Sequence, residues 1–263
     1  MPLKLLKYAK IIIIVFLFGC GEGVPDFELV EQDPKVTIHY SLINGSDAVD
    51  IGDSFTDAQG HRLILKTMKM YVSNMSVVSN GQSQELTEVE LVNFNENQDG
   101  QTNPFVQAYT YIIEPVEIEQ IRFSIGLSED VNSTDPTLLP KDDALSANAG
   151  MYWDWGSKYI FVMLEAGIDL NGDGQYDDDI GFHTGLDELY IEDTESSIVL
   201  DLKSFDKDSI NIQIDWNTVF PGPESEGYID LNEAPFVHAN GDAEKLELAR
   251  VFTQNFRRAI GVK

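Results

Sequence analysis

Residues 36–42, Val-Thr-Ile-His-Tyr-Ser-Leu, alternate apolar and polar side chains. Successive side chains of a β-strand point to opposite faces, so this spacing predicts a strand with one apolar and one polar face. His39 lies on the polar face of that strand. The same alternation recurs in Ile121–Leu127 and in Ile210–Trp216. Sheets that bury one face are therefore expected along much of the chain.

Other segments are typical of strands because they are rich in β-branched and aromatic residues. They are Leu63–Met75, Val89–Phe94, Phe105–Ile113 and Ile198–Leu202. Tyr159–Leu164 is apolar at every position, which predicts a central strand buried on both faces. The predicted fold class is all-β, an antiparallel β-sandwich with long loops. The long loops are Asn95–Pro104, Ser128–Gly150 and Pro221–Gly241.

One helix is expected, at the C-terminal end of the chain. Its apolar residues recur at steps of four, which places them on one face of a helix. They are Leu248, Phe252, Phe256 and Ile260. Asp242 precedes them and can cap the first turn with a side-chain oxygen. No internal repeat interrupts the pattern, so residues 35–263 are predicted to form a single domain.

The N-terminal segment has the organisation of an export signal. Three lysines precede the apolar run Ile11–Phe18, which is too short to span a membrane because a spanning helix takes about 20 residues. A small residue directly before Cys20 resembles the bacterial lipobox, whose cysteine is acylated and becomes the new N-terminus. We therefore predict a lipoprotein signal peptide over residues 1–19 and a tether over residues 20–34.

Lipidation at Cys20 determines the expected location of the protein. Acyl chains on this cysteine would make the membrane a partner and hold the protein in the bacterial cell envelope. The outer membrane is the expected site, on its periplasmic or its surface face. The alternative is an ordinary signal peptide followed by a chance cysteine.

Composition excludes several functional classes. The chain has 17 basic and 45 acidic residues, and its net charge of −28 repels phosphates and excludes a nucleic-acid-binding protein. The single cysteine excludes a disulfide within the chain and a c-type haem attachment. The sequence carries no nucleophile-elbow, phosphate-loop or zinc-protease motif, so we predict that the protein is not an enzyme.

The most specific chemical motif is the acidic segment after the predicted central strand. Oxygen donors stand at positions 1, 3, 5, 7 and 9 of a calcium loop, and a glycine at position 6 permits the sharp turn. These residues are Asp169, Asn171, Asp173, Gln175, Asp177 and, at position 6, Gly174. Position 12 holds Ile180 instead of glutamate, so Asp178, Asp179 or a carboxylate from elsewhere in the chain would have to complete the ligand set. Calcium is a predicted cofactor, and the alternative is a solvated acidic hairpin that binds nothing.

Two tryptophans and a histidine form a second constellation. Trp153 and Trp155 are two residues apart and would share one face of a strand, and His183 follows the acidic segment. By residue type alone, such tryptophans are more often core or a packing platform, and a lone histidine is more often on the surface.

Five stretches together resemble the MbnP-like family, copper-binding partner proteins found beside methanobactin genes. They are Lys69–Met75, Phe123–Leu127 with Val131-Asn132 and Asp135-Pro136, Met151–Phe161, Phe182–Gly185, and the C-terminal helix around Asn255-Phe256. The match covers most of residues 35–260. No single stretch is specific, whereas five in the same order are.

The resemblance implies a β-sandwich located in or outside the cell envelope. It also implies a copper site built from histidines and an oxidised tryptophan, kynurenine, which a separate dihaem peroxidase partner makes. Position by position, Trp153 or Trp155 would be the modified residue and His183 a ligand. No histidine lies two residues from either tryptophan, so folding would have to bring in His39 as the second imidazole.

The sequence therefore predicts a lipid-anchored envelope metal-binding protein, with copper as the functional metal and calcium in a structural loop. Two alternatives stay open. One is a surface module that binds glycan or protein through the tryptophan pair and the long loops, without copper. The other is a purely structural envelope lipoprotein.

Overall fold

The computed structural model describes residues 35–96, 106–113, 117–154, 158–190, 198–202, 209–239 and 242–262. Its strands are β1 (Lys35–Asn44), β2 (Asp47–Val49), β3 (Ser54–Thr56), β4 (Arg62–Ser79), β5 (Gln82–Asn93), β6 (Val106–Ile112), β7 (Gln120–Ile125), β8 (Tyr152–Trp153), β9 (Lys158–Tyr159), β10 (Val162–Asp169), β11 (Asp178–Thr184), β12 (Ile198–Asp201), β13 (Ser209–Asp215), β14 (Phe236–His238) and β15 (Ile260–Val262). Its helices are α1 (Glu129–Asn132), α2 (Trp216–Val219) and α3 (Ala243–Ala259), with 3₁₀ turns at Pro136–Leu138, Ala147–Ala149, Asp187–Leu189 and Leu231–Glu233.

The described strands form two main sheets around one apolar core. Sheet A has the order β15-β13-β1-β2, with β6 also paired to β1. Sheet B has the order β12-β7-β4-β10-β11-β14, with β3 and β5 also paired to β4. Ile38 and Tyr40 of β1 share the core with Leu164 of β10, so the apolar faces of both sheets meet. The prediction of an all-β sandwich is confirmed.

Two strand pairs run parallel, which differs from the antiparallel arrangement predicted. β1 pairs with β13 in parallel from Thr37 opposite Ser209 to Ile43 opposite Asp215, and β11 pairs with β14 in parallel. In each pair the two strands are far apart in the chain, as parallel pairing requires, because a short hairpin joins only antiparallel strands. Alternating side chains identify a strand and its buried face, but they do not specify the direction of its partner.

The C-terminal helix is confirmed over most of its predicted length. The side chain of Asp242 accepts hydrogen bonds from the backbone N–H groups of Glu244 and Lys245, as predicted for the cap. Phe252 and Phe256 are buried in the core. Ile260 differs, because it leaves the helix and pairs with Ile214 of β13. The helix therefore ends at Ala259, although the apolar pattern continues to Ile260, because Ile260 pairs with sheet A.

A second apolar cluster covers the outer face of sheet B. It contains Tyr71 of β4 together with Met151 and Tyr159, which follow the predicted long loop. The hydroxyl of Tyr71 donates to the carbonyl of Ala144 at 2.9 Å, and the hydroxyl of Tyr159 donates to that of Leu145 at 2.8 Å. Residues 128–150 therefore form a cover rather than an open loop, and β10 lies between β4 and β11 with both faces covered.

Several predictions fall on other parts of the chain. The signal peptide over residues 1–19, lipidated Cys20 and the tether over residues 20–34 lie outside the described residues, as does most of the predicted loop Asn95–Pro104. Among the described helices, none has the length and apolar character needed to cross a membrane.

Candidate functional site

Alternation in β11 places one aromatic side chain inside the sandwich and the next ring outside it. Phe182 enters the core and stacks on Phe252 of α3 with ring centroids 4.6 Å apart. His183 therefore points to the outer face of sheet B. In register, His183 lies opposite Met163 of β10 and His238 of β14. Met163, His183 and His238 thus form a row across three strands on the same outer face.

Four rings meet at the end of this row, and we call Trp153, His183, Phe236 and His238 the His–Trp cluster. The ring centroids of His183 and His238 are 4.9 Å apart. Trp153 lies 5.1 Å from His183 and stacks on His238 at 4.7 Å with an angle of 15° between the planes. Phe236 lies 5.4 Å from His183 and 5.3 Å from His238. The two imidazoles are therefore enclosed between two larger aromatic rings.

Two local features of the chain position the aromatic walls of the cluster. Trp153 belongs to the short strand β8, which pairs with Lys158 and Tyr159 of β9 over the covered face of sheet B. Gly181 lies opposite Phe236 in the sheet. A Cβ atom at Gly181 would come within 2.7 Å of the Phe236 ring, so glycine at this position makes room for that ring.

Among the described residues, His183 has a hydrogen-bond partner for one ring nitrogen and none for the other. Its side chain is 5% exposed, and its Nε2 atom lies 2.9 Å from Oε1 of Glu165. Its Nδ1 atom is buried and has no hydrogen-bond partner among the described residues. Buried polar atoms are normally paired, and leaving one unpaired costs about 1–3 kcal/mol. The Nδ1 atom of His183 is therefore the feature of the cluster that most needs an explanation.

Burial lowers the pKa of both imidazoles of the cluster and so favours their neutral form. Burial lowers the pKa of His183 from its usual value, while Glu165 acts in the opposite direction and His238 adds to the lowering. Burial, and then Lys245, lower the pKa of His238. A neutral imidazole presents a lone pair, and that is the form that binds metals.

The donor set around the two histidines limits which metal chemistry is possible. Among the described residues, no group of three or more His, Cys, Asp or Glu side chains is arranged to hold a metal ion. A third donor would therefore be of another type. Met163 lies beside His183 in the row, and its thioether is a soft ligand of the kind that suits Cu(I).

The structure brings some of the residues predicted for the copper site together and keeps others apart. The structure brings Trp153 and His183 together, whereas Trp155 lies outside the described residues. His39 is not brought in. It lies on β1 of sheet A between the core residues Ile38 and Tyr40, so its side chain points to the opposite outer face of the sandwich.

His238 takes the place predicted for His39. Sequence reasoning missed it because Pro221–Gly241 had been predicted to be a loop. In the structure Val237 is buried and its neighbours on both sides are not, but the sequence Phe-Val-His does not alternate apolar and polar residues and so gave no signal of a strand. A strand of three residues is also too short to distinguish from a loop by periodicity.

The acidic segment connects β10 to β11, and its side chains bond to its own backbone. The carboxylate of Asp169 accepts from the N–H groups of Gly172 and Gly174 at 2.8 and 2.9 Å. Its Oδ2 atom lies 3.8 Å from a guanidinium nitrogen of Arg62. The side chains of Asn171 and Asp173 each accept from the N–H group two residues later.

The remaining residues predicted for the calcium loop point elsewhere. Asp177 and Asp178 are exposed, and Asp179 forms an ion pair with Lys66 of β4. Ile180 is fully buried in the core. Gln175 contributes its N–H to Asp173 at 2.8 Å. The described geometry therefore contains the turn of a calcium loop without a converged set of carboxylates, and calcium at this loop stays a prediction.

The sequence of the chain is similar to a known protein family. The model of the MbnP family matches residues 33–240. A solved structure, MbnP from Methylosinus trichosporium, is similar at 17% sequence identity with a TM-score of 0.47, over 73% of this chain and 78% of that one. Among curated proteins, none matches.

Proposed function

Because the chain belongs to the MbnP family, as its motifs predicted, we propose that it is a non-catalytic copper-binding protein of the bacterial envelope. His183 and His238 would supply two imidazole ligands. Acylated Cys20 would anchor the protein to the outer membrane. Trp153 or Trp155 would be the residue that a dihaem peroxidase partner oxidises to kynurenine.

The observation that carries this proposal is the buried Nδ1 atom of His183. Metal-binding histidines commonly donate one ring N–H to a carboxylate and leave the other nitrogen free for the metal. His183 has that arrangement with Glu165, and a second neutral imidazole lies with its ring centroid 4.9 Å away. A copper ion would give the Nδ1 atom a partner, which no described residue provides. The residues present therefore fit the metal that the family implies.

One soft side chain, Met163 in the row beside His183, favours copper over harder metals. Imidazole suits both zinc and copper, whereas a thioether such as Met163 selects Cu(I). In the part of the chain that the structure describes, carboxylates do not surround the two histidines in the number that calcium or magnesium would need. Copper bound here would be a tightly held soft cation. The His–Trp cluster would enclose it with largely apolar side chains.

Comparing two histidine variants tests this proposal. We expect His238→Ala to lower the affinity for Cu(I) at least about tenfold, because it removes a ligand. Loss of a residue that only supports a ligand already lowers metal affinity by about 10–100-fold. His39→Ala is the matched control and should leave the affinity unchanged, because His39 points away on sheet A. The measurement is competition for Cu(I) against a coloured chelator. Equal affinities in the two variants would contradict the ligand assignment.

Calcium at the acidic segment is a second proposal, supported by the turn after Asp169, in which acid and amide side chains stand at alternate positions as in a calcium loop. We expect calcium at a hundredfold excess over its Kd to raise the unfolding temperature by about 5–10 °C, since it binds only the folded state. Asp173→Asn should lose most of that increase, and Glu88→Gln, on the distant strand β5, should keep it. An unfolding temperature that ignores calcium in the wild-type protein would remove this proposal.

The glycan-binding or protein-binding alternative is less well supported. A tryptophan platform requires an exposed ring face, and Trp153 is half-buried with one face stacked on His238. Its contacts are those of a wall of the His–Trp cluster. We therefore favour the metal-binding function.

A further inference from the structure

Glu165 of β10 is the residue behind His183, and both of its oxygens are engaged. Its Oε1 atom lies 2.9 Å from Nε2 of His183, and its Oε2 atom accepts a hydrogen bond of 2.9 Å from the hydroxyl of Thr67. An ionised carboxylate can only accept hydrogen bonds. The proton in the contact with His183 must therefore sit on Nε2 of the imidazole.

A bulge in β4 positions Thr67, whose hydroxyl holds the carboxylate of Glu165. Glu165 lies opposite Thr67, but the next residue of β10, Ala166, lies opposite Leu65. Lys66 is therefore an extra residue in the ladder, and a bulge of this kind redirects the side chains beside it. Thr67 is thereby placed where its hydroxyl can hold the carboxylate. The carboxylate is 32% exposed, whereas the imidazole that it holds is 5% exposed.

We propose that Glu165 is a positioning residue that fixes His183 as the Nε2–H tautomer and so presents its Nδ1 lone pair to the metal. The neutral imidazole has one N–H and one lone pair, and the two tautomers exchange these roles. With Nε2 bonded to Glu165, the lone pair is on Nδ1, the buried nitrogen for which the described residues provide no hydrogen-bond partner. The negative charge of the carboxylate also makes the imidazole a stronger donor to a cation.

The metal part of this inference depends on the proposed function, whereas the tautomer does not. Nitrogen-15 NMR of the metal-free protein, at a pH where His183 is neutral, distinguishes the two tautomers. We expect the Nε2–H form in the wild-type protein and a mixture of tautomers in Glu165→Leu. A wild-type His183 that carries its proton on Nδ1, or a Glu165→Leu spectrum identical to that of the wild type, would overturn the inference.

Copper affinity provides the second readout. Glu165→Leu should weaken Cu(I) binding about 10–100-fold, the usual cost of losing a partner behind a metal ligand. Glu165→Gln should lose less than about tenfold, because its amide oxygen still accepts from Nε2, although without the charge that strengthens the bond. Glu88→Leu, on β5, is the control and should bind as the wild type does.

The combined outcomes separate the two proposals. Wild-type protein that binds no copper but has the Nε2–H tautomer, lost in Glu165→Leu, would overturn the proposed function and leave the role of Glu165 in fixing the tautomer intact. Wild-type protein that binds copper with the same affinity as Glu165→Leu would overturn the positioning role and leave the proposed function intact. The unfolding temperature of each metal-free variant shows whether a loss of binding comes from misfolding.

Discussion

Replacing His183 by alanine is expected to lower the affinity for Cu(I) by about a hundredfold or more. The reason is that His183 is the most enclosed member of the His–Trp cluster and that its Nε2 atom is held by the carboxylate of Glu165. Removing a partner behind a ligand already costs about 10–100-fold, and removing the ligand itself should cost at least the upper part of that range. The measurement is chelator competition with the metal-free and the copper-loaded protein.

A matched variant controls for damage to the fold. His61→Ala removes a histidine that lies 12% exposed in a separate contact with Asp57, away from β11. We expect it to bind copper as the wild-type protein does. His183→Gln, which keeps more of the side-chain volume, should lose binding to the same extent as His183→Ala. Wild-type affinity in either His183 variant would show that copper binds elsewhere.

The second large effect concerns the residue next to His183 in the chain. Phe182→Ala should lower the free energy of unfolding by about 3–5 kcal/mol, because it leaves a cavity where the fully buried ring packs on Phe252 and Phe220. For a domain of this size the unfolding temperature should fall by roughly 6–20 °C. Calorimetry of the metal-free protein measures the change.

Phe236→Ala is the control for that experiment because it truncates the same residue type on the neighbouring strand. Phe236 is 39% exposed on the outer face, so its truncation should cost less than half as much. Phe182→Ala should also keep its copper affinity once the protein is folded, since the ring faces the core. Equal losses of stability in the two variants would contradict the assignment of the two faces of β11.

Much of the sandwich was predictable because the alternation of apolar and polar residues along a strand identifies its buried face. The strands around Ile38, Phe123 and Ile212 were identified in this way, and so was the cap of the C-terminal helix at Asp242. The parallel pairing of β1 with β13 was not predictable. Side-chain periodicity is the same whichever direction the neighbouring strand runs.

The residues of the candidate site that belong to the family motifs were predictable. The residue that reaches the site through pairing of strands distant in the chain was not. Trp153 and His183 came from the motifs, and the structure brings their rings within 5.1 Å. The choice between His39 and His238 depended on which sheet each strand joins. His238 lies in a strand of three residues, and its parallel pairing with β11 brings it beside His183. No local signal of that length specifies such a partner.

For the acidic segment, the sequence predicts the local turn but not whether the carboxylates form a metal site. The spacing of Asp169, Asn171 and Asp173 correctly predicted a tight turn, because short polar side chains at alternate positions bond to the backbone that follows them. Whether the carboxylates converge on a cation depends on residues that the turn itself does not fix. Asp179, for instance, pairs with Lys66 on the adjacent strand.

Copper content measured on protein purified from its own host, without added metal, is the decisive test of a copper site at His183 and His238. The wild-type protein should carry about one copper per chain, and the double variant His183→Ala/His238→Ala should carry almost none. The mass of the peptide that contains Trp153 and Trp155, from the same sample, reports whether either tryptophan is oxidised. Copper-free wild-type protein, or equal copper in the wild-type protein and the double variant, would contradict the proposed function.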